Sequence, residues 1–289
     1  MNRLELTWTT TTPLSHIGES ISADTYLSTM PIPQKDSSYK DIFIYSGNAI
    51  RGQMRDNAIL YLIDLLKIKD KSIKPTNHDF LFSSGTIGGA AVFSPQAIDD
   101  MTKVYPLFKS FGGNLNNMMM PGTFAISDAI PICKETEYYL RIYNGVKAKN
   151  GYHDLLCERS FSRHDDSKHD QHFLPDLSED KKVIQMRYTN QLLNAGVTLK
   201  SEIHINKSID GLDFGAFCST LEQFKSWSFI GGMHNKGFGQ VQLDITLNND
   251  AFYSSYSDCS DKYNEALGSY KDYMLNENKQ AFLDRFIEQ

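Results

Sequence analysis

The 289-residue chain reads as an α+β domain built on a split β-α-β sheet with helices on one face. Three observations lead there. Residues 4–11 alternate, with Leu4, Leu6 and Trp8 on one side and Glu5, Thr7 and Thr9 on the other, the signature of a half-buried strand. The same alternation returns late in the chain, in Val197, Leu199, Ser201, Ile203 and Ile205, and again in Val241, Leu243 and Ile245. Between these strands lie two apolar stripes at helical spacing: Ile50, Met54, Ala58, Leu62 and Leu65, then Phe214, Phe217, Leu221 and Phe224.

In order, the first strand is followed by residues 13–40, which are polar, contain Pro13, Pro31 and Pro33, and read as a long loop. Asp41 to Tyr45 is a short strand, and the helix that follows Gly47 runs to about Leu66. Residues 76–130 are rich in Gly, Ser, Asn and Met with little periodicity, and read as an inserted accessory region. Residues 138–143 read as a strand. Residues 145–187 are strongly polar and read as a projecting loop or long hairpin. Asp213 reads as the N-cap of the second helix. No internal repeat is visible, and the whole chain, 1–289, is expected to form one core domain carrying the two insertions.

Composition bounds the functions available. Hydrophobic residues are 40% and charged residues 22% of the chain, ordinary for a folded protein and too apolar for a disordered one. The apolar run from Ala58 to Leu66 is interrupted by charge and falls short of the ~20 residues that span a bilayer, so no membrane partner is expected. No apolar leader opens the chain, which places it in the cytoplasm by expectation. The four cysteines, Cys133, Cys157, Cys218 and Cys259, include no CxxC pair and are expected as free thiols. Net charge is −6, but residues 211–289 hold eleven acidic against six basic side chains. The acidity is therefore concentrated at one end, and a basic groove elsewhere remains compatible with phosphate binding, which depends on the local field.

Two motifs carry the functional argument. In Tyr45-Ser46-Gly47-Asn48-Ala49-Ile50-Arg51-Gly52-Gln53-Met54-Arg55 a glycine sits where strand becomes helix, and unpaired N–H groups at a helix start attract phosphate. Arg51 and Arg55 are one turn apart, beside Asn48, on the face opposite the apolar stripe. The bland reading is a solvated face behind a glycine turn. In Phe229-Ile230-Gly231-Gly232-Met233-His234-Asn235-Lys236-Gly237-Phe238-Gly239-Gln240-Val241, four glycines in nine residues let backbone approach a ligand closely. Lys236-Gly237-Phe238-Gly239-x-Val241 overlaps the RNP1 pattern of RNA-recognition motifs, without the aromatics expected at Gln240 and Leu243. The bland reading is a tight helix-to-strand connection. A third segment, Asn194-Ala195-Gly196-Val197-Thr198-Leu199, is a small-residue turn leading into a strand.

Taken in order, these three segments resemble the RAMP superfamily of CRISPR-associated proteins, and within it the Cas seven family of effector backbone subunits. Thr11-Thr12-Pro13-Leu14-Ser15-His16-Ile17-Gly18 looks like that family's first-strand exit. Phe108-Lys109-Ser110-Phe111-Gly112-Gly113 and Met120-Pro121-Gly122 look most like the type IV effector backbone. Asn48-Ala49 replaces the family's paired serines. The resemblance implies a modified RNA-recognition-motif, ferredoxin-like fold with residues 145–187 as a thumb hairpin. It implies a non-catalytic subunit that binds guide RNA (crRNA), oligomerises head-to-tail along it, joins other CRISPR effector subunits and meets target nucleic acid through the guide. Residues 76–130 would face the target strand. The RNA-binding residues so implied are His16, Gly47, Asn48, Arg51, Arg55, Gly231, Gly232, His234, Asn235, Lys236 and Phe238, with Arg159, Arg163 and Arg187 on the thumb. No cofactor is expected.

Three rival readings stand beside it. Type III relatives cut target RNA with an aspartate in the loop after the first strand, where Asp24 lies here, with Asp36 and Asp41 as weaker candidates. Cys157, His164, His169 and His172 are close in sequence, but their spacing fits no zinc pattern, and a solvated loop is the simpler reading. A conventional RNA-recognition-motif protein would need stacking aromatics that are missing. No Ser-His-Asp signature and no P-loop is present.

Overall fold

The computed structural model describes residues 2–68, 73–83, 95–115, 118–140, 148–163, 186–206, 209 and 211–287. Its central sheet is organised around β1 (Asn2–Thr10), which pairs antiparallel with β12 (Thr198–Ile205) on one side and β13 (Val241–Leu247) on the other. The outer positions are β14 (Asp250–Ser254), next to β13, and β8 (Phe124–Ile126) with β9 (Ile130–Pro131), both next to β12. Leaving β14 aside, the spatial order β13-β1-β12-β8 is that of a βαββαβ, ferredoxin-like sheet.

Strict alternation sets the two faces of the sheet. Leu4, Leu6, Trp8, Leu199, Ile203, Ile205, Val241, Leu243 and Ile245 are all buried, and they pack under α1 (Gly47–Leu66) and α5 (Gly211–Ser226). Trp8 meets Phe224 of α5 edge-on at 5.8 Å. Its indole N–H donates to Ser201 Oγ at 2.9 Å, satisfying a polar group that burial would otherwise strand. The other face is polar: Thr7 lies opposite Lys200 and Asp244, and Thr9 opposite Thr198 and Gln242.

A second, four-stranded sheet stands beside the first, in the order β10-β11-β3-β2. It uses β2 (Ile17–Ile21), β3 (Asp24–Leu27), β10 (Leu156–Arg163) and β11 (Met186–Leu193). β10 and β11 are paired over their full lengths, from Leu156 opposite Leu193 to Arg163 opposite Met186, so the described arms of the expected thumb are a hairpin. Its connecting residues, 164–185, lie outside the described residues. β4 (Thr29–Pro33) and β5 (Tyr39–Phe43) form a separate hairpin.

The expectation that residues 13–40 form a loop is thus overturned. Pro31 and Pro33 sit in the edge hairpin β4–β5, where a strand tolerates a missing N–H. Residues 138–140 form turns rather than a strand, and the rest of the expected strand 138–143 lies outside the described residues. Asp213 is not an N-cap. It lies in the first turn of α5, buried, and its carboxylate pairs with Lys109 Nζ at 2.5 Å. Leu66, not Leu65, completes the buried stripe of α1.

The accessory segment contains α2 (Pro75–Ser83), α3 (Pro95–Val104), α4 (Pro106–Phe111) and the hairpin β6 (Gly112–Leu115) with β7 (Met118–Pro121). Its last residues differ from the expectation: β8 and β9 belong to the core sheet. Two C-terminal helices complete the fold, α6 (Asp261–Asp272) and α7 (Lys279–Phe286), joined through a π-helical turn, Tyr273–Glu277. Phe80 and Tyr105 of the accessory segment pack on Phe286 with ring centres 6.0 Å and 5.8 Å apart. Among the described residues, no helix is long and apolar enough to cross a membrane.

α5 and α6 approach closely at Gly215 of α5, where an added Cβ would lie 2.3 Å from Ala266 O and 2.8 Å from Tyr270 Cβ. Gly215→Ala must push α6 away from α5 and is expected to cost about 1–3 kcal/mol. A lowered denaturant midpoint with an unchanged m-value checks it.

Candidate nucleic-acid interface

The segment leaving β1 passes between the two sheets and the glycine-rich loop. Leu14 and Leu193 exchange backbone hydrogen bonds at 2.8 and 2.9 Å, and Gly232 N–H donates to Ser15 O at 2.8 Å. This explains Gly231: its φ is +78°, and an added Cβ would fall 2.2 Å from Ser15 O. Gly239, at φ +88°, is confined in the same way, 2.1 Å from Ile230 O, while its N–H donates to Pro13 O at 2.8 Å. These two glycines are demanded by packing. The exposed part of the loop is Asn235 and Gly237, and a Cβ at Gly237 would meet nothing within 4 Å.

The start of α1 lies close by. Ser46 is its N-cap, with Oγ accepting from Ala49 N–H at 3.2 Å. The Gly47 N–H donates to Asp128 Oδ1 at 2.7 Å, and an added Cβ at Gly47 would lie 2.6 Å from Ile126 O. The expected phosphate cradle is therefore already filled by a side-chain carboxylate of this chain, and Gly47 is required by its contact with β8. Tyr45 is buried, accepts from Gly231 N–H at 3.3 Å and donates to Gln53 Oε1 at 3.1 Å. Burial pushes its phenol up to about 12. The Gln53 side chain in turn donates to Phe229 O, so α1 and the glycine loop are locked together. His16 packs edge-on against Tyr45 at 4.9 Å. Its burial lowers the imidazole below its ordinary value, partly opposed by the Asp128 carboxylate.

Arg51 and Arg55 do not line an open polar face. Arg51 Nη2 donates to Phe124 O at 3.1 Å. Arg55 lies over the Phe111 ring at 5.8 Å, and burial lowers its pKa. β8 of the core sheet and α4 of the accessory segment cover the face that the helical spacing left open, and only Asn48 of that motif is exposed.

Lys236 is held differently. Its Nζ donates to Tyr188 Oη at 3.0 Å and lies 4.1 Å above the Phe161 ring. Phe161 and Tyr188 are a cross-strand pair of the hairpin, stacked at 5.5 Å, and Phe238 adds a third ring 6.2 Å from Phe161. Strand alternation puts exposed Arg159 on the Phe161 face and exposed Arg187 on the opposite one. Arg163 ends β10 opposite Met186. His234 opens the turn His234–Lys236 and packs on Phe229 at 5.5 Å. The structure therefore brings His16, Gly231, Gly232, His234, Asn235, Lys236 and Phe238 around one loop, with Arg159 on the adjoining hairpin face. Phe161 and Tyr188 were not among the sequence candidates. The available signal was a single aromatic in each of two otherwise polar segments.

Asp24 begins β3, and its Oδ1 accepts from Thr189 N–H of β11 at 2.8 Å. Asp36 accepts from Ser38 N–H and Oγ at 3.1 and 2.6 Å. No group of three potential metal ligands occurs among the described residues. Cys157 lies in β10, and His164, His169 and His172 lie outside the described residues.

No family model matches the chain, and no curated protein does. A chain of a solved Type IV-B CRISPR complex shares the fold, with a TM-score of 0.56 over 92% of this chain and 98% of that one, at 16% sequence identity.

Two outcomes follow from this geometry. Gly239→Ala combines left-handed strain with a backbone clash and should destabilise the protein well beyond Gly237→Ala, which carries only the strain, about 1 kcal/mol. Denaturant midpoints of the two variants decide it. For His16, the folded state resists protonation, so stability is full above the ordinary value of 6.5 and declines as pH falls through it towards the lowered folded value. His16→Gln should flatten the stability–pH curve there.

Proposed function

We propose that this chain is a non-catalytic guide-RNA-binding backbone subunit of a type IV-like CRISPR effector ribonucleoprotein, working in the cytoplasm. The observation that carries the reading is the joint between the glycine loop and the hairpin. Lys236 ties a loop of open backbone to the Phe161–Tyr188 pair. One surface thereby gathers a cation, aromatic rings, exposed Asn235 and Arg159, the mixture that grips a single strand by phosphate contact and stacking. The fold shared with a chain of a Type IV-B CRISPR complex supports the same reading. On it, the other partners are target nucleic acid paired to the guide, further CRISPR subunits, and copies of this chain arranged head-to-tail, which builds an open filament. The thumb, residues 145–187, would cross the RNA between copies, and the accessory segment within 76–130 would face the target.

Target cleavage through Asp24 has weaker support. Its carboxylate holds the hairpin arm through Thr189, and a general acid or metal ligand would need that group turned outward. Asp24→Ala is expected to loosen the hairpin without altering silencing of a target. Loss of an RNA-cleaving activity in that variant would instead establish the nuclease reading.

Binding to a single-stranded RNA tests the main reading. Arg159→Ala with Lys236→Met should weaken binding about equally for all sequences and flatten the salt dependence by ~0.7 per lost phosphate contact. Residues 164–185 are the segment to remove. Arg163 and Met186 are directly paired, so a two-residue Asn-Gly turn closes the hairpin. That variant should keep its core and lose any periodic nuclease footprint on RNA. One-to-one binding of the intact protein to a long RNA, with a single unrepeated footprint, would overturn the filament.

A further inference from the structure

We propose that Trp227 is a base-stacking residue, an exposed indole that takes one unpaired nucleobase of the bound strand. The proposal rests on the RNA-binding reading and adds a site to it. Trp227 is 53% exposed, directly after the last turn of α5. Its ring lies 4.7 Å from Phe229 at a tilt of 35°, and 6.2 Å from His234. The turn His234–Lys236 thus carries an aromatic cluster at each end. Its first residue meets Trp227 and Phe229, and its last meets Phe161 and Tyr188.

The backbone that carries the indole is ordered before any ligand arrives: the Trp227 main-chain N–H donates to Gln223 O at 2.8 Å, and the next residue, Ser228, accepts from Val241 N–H at 2.8 Å. Phe229 is fixed behind it by its bridge to Gln240 and by the Gln53 side chain. An aromatic ring that already packs on a neighbour and stands on ordered backbone costs less ordering when a base lands on it.

The surroundings favour a base over a protein. Among the described residues, the rings that Trp227 meets are Phe229 and His234. A stable protein interface needs about 800 Å² from each partner, whereas a base needs one ring. The turn that His234 opens continues with exposed Asn235 and cationic Lys236.

The chain has two tryptophans, and Trp8 is fully buried, so intrinsic fluorescence isolates the site. The probe is a single-stranded oligoadenylate, with binding followed independently by anisotropy of a labelled copy. Saturating RNA should quench the emission that distinguishes the wild type from Trp227→Phe. Trp227→Ala should weaken binding by about 5- to 150-fold, and Trp227→Phe should restore most of it. Binding by anisotropy with unchanged Trp227 emission and unchanged affinity of Trp227→Ala would sink the stacking site and leave the RNA-binding reading intact. Absence of any RNA binding by the wild type would remove both. Emission that responds to protein concentration and not to RNA would assign the indole to a contact between copies, and also overturns the proposal.

Discussion

The seam at Leu14 and Ser15 fixes the arrangement of the candidate interface. These two fully buried residues bond the hairpin arm through Leu193 and the glycine loop through Gly232. A single extended segment thus sets the distance between the two elements that carry the cations and the rings. The backbones run so close that position 231 admits no side chain. Once that spacing is set, Lys236 reaches Tyr188 and Phe161, Tyr45 reaches Gly231, and His16 comes to rest against Tyr45. The glycines are in this sense structural first. Their absent side chains let the loop close, and the closed loop presents Asn235 and Lys236.

Charge is organised locally rather than globally. The chain carries −6, and some of its cations are matched: Arg3 with Glu5 and Glu202, Lys109 with Asp213, Lys225 with Glu222. Arg159 and Lys236 have no carboxylate partner among the described residues. They sit where the hairpin meets the loop, and the attraction available to a phosphate is set there by two or three nearby charges. The open face of the central sheet, which carries the stacking aromatics in a conventional RNA-recognition motif, is here a polar surface of threonine, lysine and carboxylates. On the proposed reading, the stacking rings lie instead on the hairpin and at the end of α5.

Strong periodicity was legible in the sequence. β1, β12 and β13 are strands whose inward residues match the alternation, and α1 ends at Leu66 as expected. The segment 13–40 was misread because its strands are short, proline-containing and exposed. β2 has no buried residue at all, so no hydrophobic alternation marks it. The close backbone approach in the candidate loop was legible in the sequence, and the covering of the α1 face was not. Glycine spacing pointed to residues 231–239, while the arginines of α1 were assigned to an open face because helical spacing reports which face is apolar, not what covers the other.

What the sequence determined by itself was therefore the inward-facing set of residues and the positions where backbone must come close, since both follow from local chemistry: side-chain period and the missing Cβ of glycine. The tertiary structure decided the partners. It gave Gly47 N–H to Asp128, 81 residues away, buried Arg55 against Phe111, and set Lys236 over two rings of a hairpin that begins about eighty residues earlier. Such pairings depend on which surfaces the packed sheets bring together, and no local pattern encodes a contact whose two halves lie that far apart along the chain.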